Sequence, residues 1–97
     1  MSDVSGILGL AKRSGNMILG DGVIKSIQSR KARLVIITSE CGANTKKKLI
    51  DKCMFYDIPY VSIAEDTFNQ SIGTHNRKAA AIANEGFAQK LYTCLKG

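Results

Sequence analysis

Four residues, Gly20, Asp21, Gly22 and Lys25, have types and a spacing suited to binding an anion. They follow the short apolar run of residues 17–19 and open a segment with helical periodicity. A strand that turns through glycines into a helix leaves unpaired backbone N–H groups at the positive end of the helix dipole. Such a junction suits a phosphate group or the edge of a nucleic-acid base. Lys25 lies one turn into the predicted helix, where its charge opposes the dipole, so we expect it to face a ligand.

The two glycines leave other interpretations open. Gly20-x-Gly22 is two-thirds of a dinucleotide-binding fingerprint, but Lys25 occupies the place of the third glycine and no partner unit follows. The pair also fits a tight turn that needs a positive φ. A small enzyme acting on a phosphate ligand is therefore one hypothesis. No Ser-His-Asp arrangement, paired carboxylates or phosphate-binding Lys-Ser/Thr motif supports catalysis, and we expect a protein that is not an enzyme.

A second candidate site is the segment His75-Asn76-Arg77-Lys78, which joins two cations to two planar hydrogen-bonding side chains. Side chains of these types contact phosphates and unstacked bases. His75 has no partner carboxylate or thiol of the kind that catalysis requires, and an ordinary polar loop residue is the alternative. A third basic segment, residues 46–48, contains three lysines near the start of a predicted helix, where a solvated helix face is the commoner explanation.

The charge balance favours a polyanionic partner. The 97 residues include 14 Lys and Arg against 8 Asp and Glu, which gives a net charge of +6 and an isoelectric point near 9.4. On a small domain this predicts attraction to nucleic acid ahead of acidic membranes or acidic proteins. A basic domain whose charge only keeps it in solution is the alternative.

The cysteines and the apolar segments indicate the cellular compartment in which the protein works. Cys41, Cys53 and Cys94 are odd in number and widely spaced, with His75 as the one possible nitrogen ligand, so neither a disulfide framework nor a zinc site is supported. We expect reduced thiols, no metal and no cofactor, with Cys53 a small core residue. The chain has no apolar run of roughly 20 residues and no secretory signal pattern. We therefore expect a cytoplasmic protein with no membrane partner.

Hydrophobic periodicity predicts about five helices alternating with four strands. In the first half, we expect a helix capped by Ser2 or Asp3, a strand over residues 17–19, a helix ending around Arg30, and a central strand over residues 34–37. Asn44 is the expected cap of a long third helix. The buried stripe of that helix should contain Leu49, Ile50, Cys53 and Met54.

The second half continues the alternation. Residues 58–63 form a predicted strand with Pro59 at its start, and a short helix through Phe68 and Ile72 should close at Gly73. Residues 79–83 fit a strand or a helix, and the alternation favours a strand before a last helix from about Glu85. The order predicts one α/β domain over residues 1–97, a three-layer α/β/α sandwich with a four-stranded mixed sheet.

Seven short segments together resemble the YlxQ-like bacterial ribosomal proteins. They are Leu8-Gly9-Leu10-Ala11, Gly20 with Lys25, Lys31-Ala32-Arg33-Leu34-Val35, Asn44-Thr45-Lys46-Lys47, Asp51-Lys52-Cys53, Ile58-Pro59-Tyr60 and Glu85-Gly86-Phe87-Ala88, and they span nearly the whole chain. That group is similar to the kink-turn RNA-binding superfamily, which includes archaeal and eukaryotic large-subunit ribosomal proteins. The resemblance implies an α/β/α sandwich that grips sharply bent RNA through the turn before the second helix and the loop before the last strand.

The resemblance also implies which residues meet RNA. The superfamily turn has the pattern Gly-x-Asn-Glu with a Lys six residues after the Gly, whereas Gly20 and Lys25 are five residues apart. Asp21 and Gly22 stand in the place of Asn-Glu, so Asp21 can accept a hydrogen bond from a guanine edge and Gly22 cannot. The corresponding part of the second loop is Asn76-Arg77-Lys78.

The first hypothesis is a non-enzymatic, ribosome-associated protein that binds kinked or bulged RNA. Its RNA-binding residues would be Gly20, Asp21, Gly22, Lys25, Asn76, Arg77 and Lys78, with outer contacts from Arg13, Lys31 and Arg33. We expect a monomer when free, with ribosomal proteins as further partners. The alternative hypothesis is a protein-interaction module of the same fold that has lost specific kink-turn recognition. The RNA-binding hypothesis requires the two loops to meet at one rim of the molecule.

Overall fold

The computed structural model describes residues 4–96. Within this range the helices and strands alternate as predicted. The elements are α1 (Val4–Arg13), β1 (Met17–Leu19), α2 (Gly22–Gln28), β2 (Leu34–Thr38), α3 (Ala43–Tyr56), β3 (Tyr60–Ile63), α4 (Glu65–Ile72), β4 (Ala79–Ile82) and α5 (Glu85–Lys96). The predicted cap of α1 at Ser2 or Asp3 lies outside the described residues.

The four strands form one mixed sheet in the order β1-β4-β2-β3. β2 pairs in parallel with β3, and β4 pairs antiparallel with both β1 and β2. β4, which consists largely of alanines, lies between β1 and β2. Its Ala81 is paired with Ile18 of β1 on one side and with Val35 of β2 on the other. Pairing on both edges overrides the high helix propensity of alanine, so the predicted strand over this segment is confirmed.

β2 shows why the sheet is covered on both faces. All five of its residues are buried, and successive side chains of a strand point to opposite faces. Leu34 and Ile36 pack with residues of α1, α4 and α5, whereas Val35 and Ile37 pack with residues of α2 and α3. The predicted three-layer α/β/α sandwich is therefore confirmed.

Two local predictions about helix ends and faces were wrong. Asn44 does not cap α3, because the helix begins at Ala43 with Gly42 as its cap residue and no side-chain cap. Met54 is 69% exposed, because a helical step of 100° per residue places it beyond the stripe formed by Leu49 and Cys53. Ile50 is only partly buried at the margin of the same stripe.

The helix before β2 is also shorter than predicted. α2 ends at Gln28, and Arg30, which the periodicity placed at the helix end, lies beyond it with φ of 60°. By contrast, α4 ends as predicted at Gly73, whose φ of 70° is the left-handed conformation that glycine adopts at low cost. Pro59 precedes β3, and its carbonyl accepts a hydrogen bond from the backbone N–H of Val35 at 3.0 Å.

Candidate nucleic-acid interface

The turn before α2 and the loop before β4 line one groove of about 640 Å³. The N-terminal half of α3 completes its wall. The residues that line it are Gly20, Asp21, Val23, Ile24, Lys25, Gln28, Thr45, Lys48, Leu49, Asn76, Arg77, Lys78 and Ala79. Six of the seven predicted RNA-binding residues are therefore brought together, and Gly22 is the one that does not line the groove.

The two loops come close to each other at Gly20 and Arg77. Gly20 has φ of 68°, and a Cβ atom added to it would lie 3.8 Å from Nη1 of Arg77. The Arg77 guanidinium thus lies over the bare backbone of the turn, within the groove. A larger side chain at Gly20 would meet this guanidinium and would also adopt a strained backbone conformation.

Gly22 has a packing role. A Cβ atom at this position would lie 2.8 Å from Cγ2 of Ile18, a methyl group on a β-branched side chain of β1. A side chain at position 22 would push β1 and the start of α2 apart. The absence of a side chain there is explained by the close approach of α2 to the sheet.

Lys25 lines the groove, but the expectation that its charge opposes the dipole of α2 was wrong. α2 has only seven residues, so Lys25 lies in its last turn, where a cation interacts favourably with the helix dipole. The helix start also offers fewer free donors than the sequence suggested, because the backbone N–H of Val23 donates to the carbonyl oxygen of Gly20 at 3.2 Å. Lys25 is exposed at the groove wall, and Asp21 makes no capping hydrogen bond to α2.

Asn69 on α4 fixes the second loop from beneath. Asn69 is 7% exposed. Its Oδ1 accepts hydrogen bonds from the backbone N–H of Arg77 at 3.1 Å and from Oγ1 of Thr74 at 2.8 Å. Its Nδ2 donates to the backbone oxygen of Arg77 at 3.2 Å. Nδ2 also donates to the backbone oxygen of Glu65 at 3.0 Å. This clasp holds both backbone polar groups of Arg77 while Asn76 adopts φ of 59°. Asn69 was not predicted from the sequence, where it is a polar residue beside Phe68 on the side of α4 that becomes buried.

Lys78 is tied to a carboxylate. Its Nζ donates to both carboxylate oxygens of Glu65 at 2.9 Å, and Oγ1 of the buried Thr38 donates to Oε1 at 3.1 Å. The hydrogen bond from Lys78, assisted by the one from Thr38, holds the pKa of the Glu65 carboxyl below its usual range. Part of the charge of Lys78 is thus compensated within the protein. Arg77, Lys25 and Lys48 remain as the exposed cations of the groove.

Several other predicted contacts lie elsewhere. His75 faces a separate depression along α4 with Asp66 and Gln70. Arg13 lies beside α4 in a third depression, and Arg33 precedes β2, at the opposite end of that strand from Thr38. Lys46 and Lys47 are exposed on α3 but do not line the groove. The predicted outer contacts at Arg13 and Arg33 are therefore not brought to the groove. For Arg33 the reason is the length of β2, whose two ends lie about 13 Å apart.

Cys41, Cys53 and Cys94 are unpaired thiols, and burial raises the pKa of Cys53 to about 11. Burial also raises the pKa of Cys41. In residues 4–96, no three His, Cys, Asp or Glu side chains gather closely enough to hold a metal ion. No helix in this range has the length and apolarity needed to cross a membrane.

Comparison with known proteins shows the family of this chain. Residues 2–92 match the model of the ribosomal protein L7Ae/L30e/S12e/Gadd45 family. The chain belongs to this family. It is similar to the Bacillus subtilis protein named RNA-binding protein YlxQ, with 40% identity over 91 residues that cover 92% of this chain and 91% of the relative. The Enterococcus faecium protein of the same name is 36% identical over 93 residues, covering 94% and 89%.

Two solved structures share the fold of this chain. A Bacillus halodurans protein of unknown function superimposes with a TM-score of 0.92 at 33% identity over the full length of both chains. The Giardia lamblia 15.5kD RNA binding protein superimposes with a TM-score of 0.74, covering 96% of this chain and 84% of its own. At 16% identity the two proteins share the same architecture.

Proposed function

We propose that this protein binds structured RNA through the groove between the Gly20 turn, α3 and the Arg77 loop, and that it does so without catalysis. The observation that carries the proposal is the convergence of two loops, distant in sequence, on one groove with Lys25, Lys48 and Arg77 at its walls. The net charge of +6 adds a general attraction to polyanions. The relatives in Bacillus subtilis and Enterococcus faecium are named as RNA-binding proteins.

Some groove residues are suited to contact the RNA backbone and others to contact bases. Arg77 presents a planar set of donors that suits a phosphate or the edge of an unstacked base, and Lys25 and Lys48 supply point charges for phosphates. The bare backbone at Gly20 lets a nucleotide approach without meeting a side chain. Asp21 also lines the groove. In this proposal its carboxylate accepts a hydrogen bond from a guanine edge and contributes to base recognition.

We further propose that the preferred target is kinked or bulged RNA and that the protein works on the ribosome in the cytoplasm, with ribosomal proteins as neighbours. Membership of the L7Ae/L30e/S12e/Gadd45 family supports this target, as does the position of the groove at the turn and loop that the resemblance implicates. A bent helix brings two backbone segments close together, and a groove with cations on facing walls can neutralise both.

The test is a gel-shift titration with a kink-turn RNA and with the same RNA carrying disrupted G·A pairs. Binding through base and shape recognition predicts tighter binding of the intact kink-turn. The comparison must be made at a fixed salt concentration, because phosphate contacts make affinity salt-dependent. Equal and weak binding of both RNAs would contradict the proposed preference.

Two observations favour a second candidate, a protein-interaction module with the same fold. Gly22 offers no side chain where the resemblance expects a base-reading residue, and the charge of Lys78 is partly compensated by Glu65. Equal, weak and salt-sensitive binding of the two RNAs is the result that this candidate predicts.

A further inference from the structure

At the C-terminal end of α3, the planar side chains of Phe55 and Tyr56 form a cluster with that of Arg30, which follows α2. The Phe55 ring packs edge-to-face on Tyr56, with ring centroids 4.9 Å apart and an interplanar angle of 76°. The Arg30 guanidinium lies 5.7 Å from the centre of the Tyr56 ring, and its Nη1 donates to the backbone oxygen of Tyr56 at 2.9 Å. Phe55 itself is 77% exposed. We call these three residues the planar cluster.

The planar cluster is held in place by contacts across two elements. Arg30 lies beyond the end of α2 in the left-handed conformation, which is uncommon for a residue with a long side chain. From there its guanidinium reaches the end of α3 and contacts both the ring and the backbone of Tyr56. Tyr56, which is partly buried, in turn supports the ring of Phe55. A phenylalanine with most of its surface in water is therefore presented in a defined position.

The planar cluster continues the charged wall of the groove. Lys48, Lys52 and Phe55 are spaced i, i+4 and i+7, which places them in one row along α3. Lys48 lines the groove, and seven residues of helix separate it from Phe55 by about 10 Å. On the other wall Gln28, at the end of α2, lines the groove two residues before Arg30. The acidic residues nearby include Asp51 on α3, and Asp57 and Glu85, which line a depression together with Arg30.

We propose that the planar cluster stacks an unpaired base of the same RNA whose bent helix occupies the groove. This inference rests on the proposed function. Exposed aromatic rings and guanidinium planes are the surfaces on which unpaired bases stack, and such stacking tolerates any base because every base has a flat face. The lysines beside Phe55 are suited to the phosphates of the connecting nucleotides. That charge complementarity favours a single-stranded RNA extension over an apolar protein partner.

The test compares a kink-turn hairpin with blunt ends against the same hairpin carrying a short adenosine tail, placed at the 5′ end in one RNA and at the 3′ end in another. One adenosine of each tail is replaced by 2-aminopurine, whose fluorescence falls when it stacks. The wild-type protein should bind one tailed RNA about five- to hundredfold more tightly than the blunt RNA. Phe55→Leu should remove that gain, quench no fluorescence, and leave the affinity for the blunt RNA unchanged.

Met54→Leu is the matched control, because Met54 is the adjacent exposed residue but lies outside the row of Lys48, Lys52 and Phe55. It should retain both the gain in affinity and the quenching. Equal affinity of the wild-type protein for blunt and tailed RNAs would overturn the stacking site while the proposed function stands. Retention of the gain in Phe55→Leu would overturn it too. Absence of binding to all of these RNAs would overturn both proposals together.

Discussion

Arg77 and Lys78 are neighbours of the same charge, and the structure gives them different roles. The side chain of Asn69 holds the backbone of Arg77, whose guanidinium lies next to Gly20. The ammonium group of Lys78 instead donates hydrogen bonds to both carboxylate oxygens of Glu65. Sequence alone treats them as two equivalent cations. The partner carboxylate at Glu65 comes from another element, and nothing in the local pattern points to it.

Replacing Lys25 with alanine tests one groove cation. If Lys25 neutralises a phosphate, Lys25→Ala should weaken RNA binding across sequences and lower the slope of log affinity against log salt by about one. Affinities measured by fluorescence anisotropy over a range of salt concentrations give that slope. Lys90→Ala, on the exposed side of α5 in the opposite layer, is the matched control. An unchanged slope in Lys25→Ala would remove Lys25 from the interface.

The Glu65 carboxyl makes stability depend on pH. Its pKa is lowered in the folded protein, chiefly by the hydrogen bond from Lys78, so its contribution is present at neutral pH and is lost as the pH falls through that lowered pKa. Glu65→Gln should therefore be less stable than wild type at neutral pH, and the difference should shrink in acid. Urea unfolding at a series of pH values measures this.

Glu40→Gln, in the exposed turn after β2, serves as the control for Glu65. It removes one acidic charge without touching Lys78 or Thr38. A stability difference for Glu65→Gln that stays constant down to low pH would show that the ion pair is not its cause.

At the scale of elements, α4 positions the groove although it contributes no residue to its wall. Asn69 lies on the buried side of this helix and holds the loop that carries Arg77. Gly73 ends the helix, and the loop then turns through the left-handed Asn76 before β4 begins. The geometry of the second loop is therefore set by α4 and by the pairing of β4 with its two neighbours.

Asn69→Ala should loosen this loop. It removes the partners of both backbone polar groups of Arg77, and we expect a loss of about 1–3 kcal/mol in unfolding free energy with faster hydrogen exchange at the Arg77 amide. Urea unfolding and amide exchange followed by NMR measure the two effects. Asn69→Asp keeps the acceptor for Thr74 and for the Arg77 amide and should lie between wild type and Asn69→Ala.

Asn84→Ala is the control for the loop effect. Its Oδ1 accepts from the backbone N–H of Phe87 at 3.0 Å at the start of α5. Loss of that bond should lower stability by about 1 kcal/mol without changing exchange at Arg77. If both variants change Arg77 exchange equally, the clasp does not position the loop.

The alternation of helices and strands could be predicted because strongly apolar strands such as Leu34–Thr38 and the amphipathic helices have clear periodicity. The ends of elements were less predictable. α2 stops at Gln28 because Arg30 takes a left-handed conformation stabilised by contact with Tyr56, 26 residues away. The convergence of the two candidate loops depends on the strand order β1-β4-β2-β3, which places β4 beside β1. The sequence did not predict this order, and the family resemblance implied only that the two loops act together.

At the scale of the whole molecule, the two helical layers differ in what they do. α1, α4 and α5 cover one face of the sheet and pack around Phe68 and Leu91, whereas α2 and α3 cover the other face and carry Lys25 and Lys48. One layer thus contributes the larger core, and the other forms the walls of the groove. This division predicts that RNA contacts lie on the α2 and α3 side and that the α1 and α5 side stays free.

The most direct test of this account is to follow the backbone amide signals of the ¹⁵N-labelled protein while a kink-turn RNA is added. We predict that the largest shifts fall in three separate stretches, residues 20–25, 45–48 and 76–78, and that α1 and α5 change little. Shifts concentrated on α1 and α5, with those three stretches unmoved, would contradict the assignment of the groove as the RNA interface.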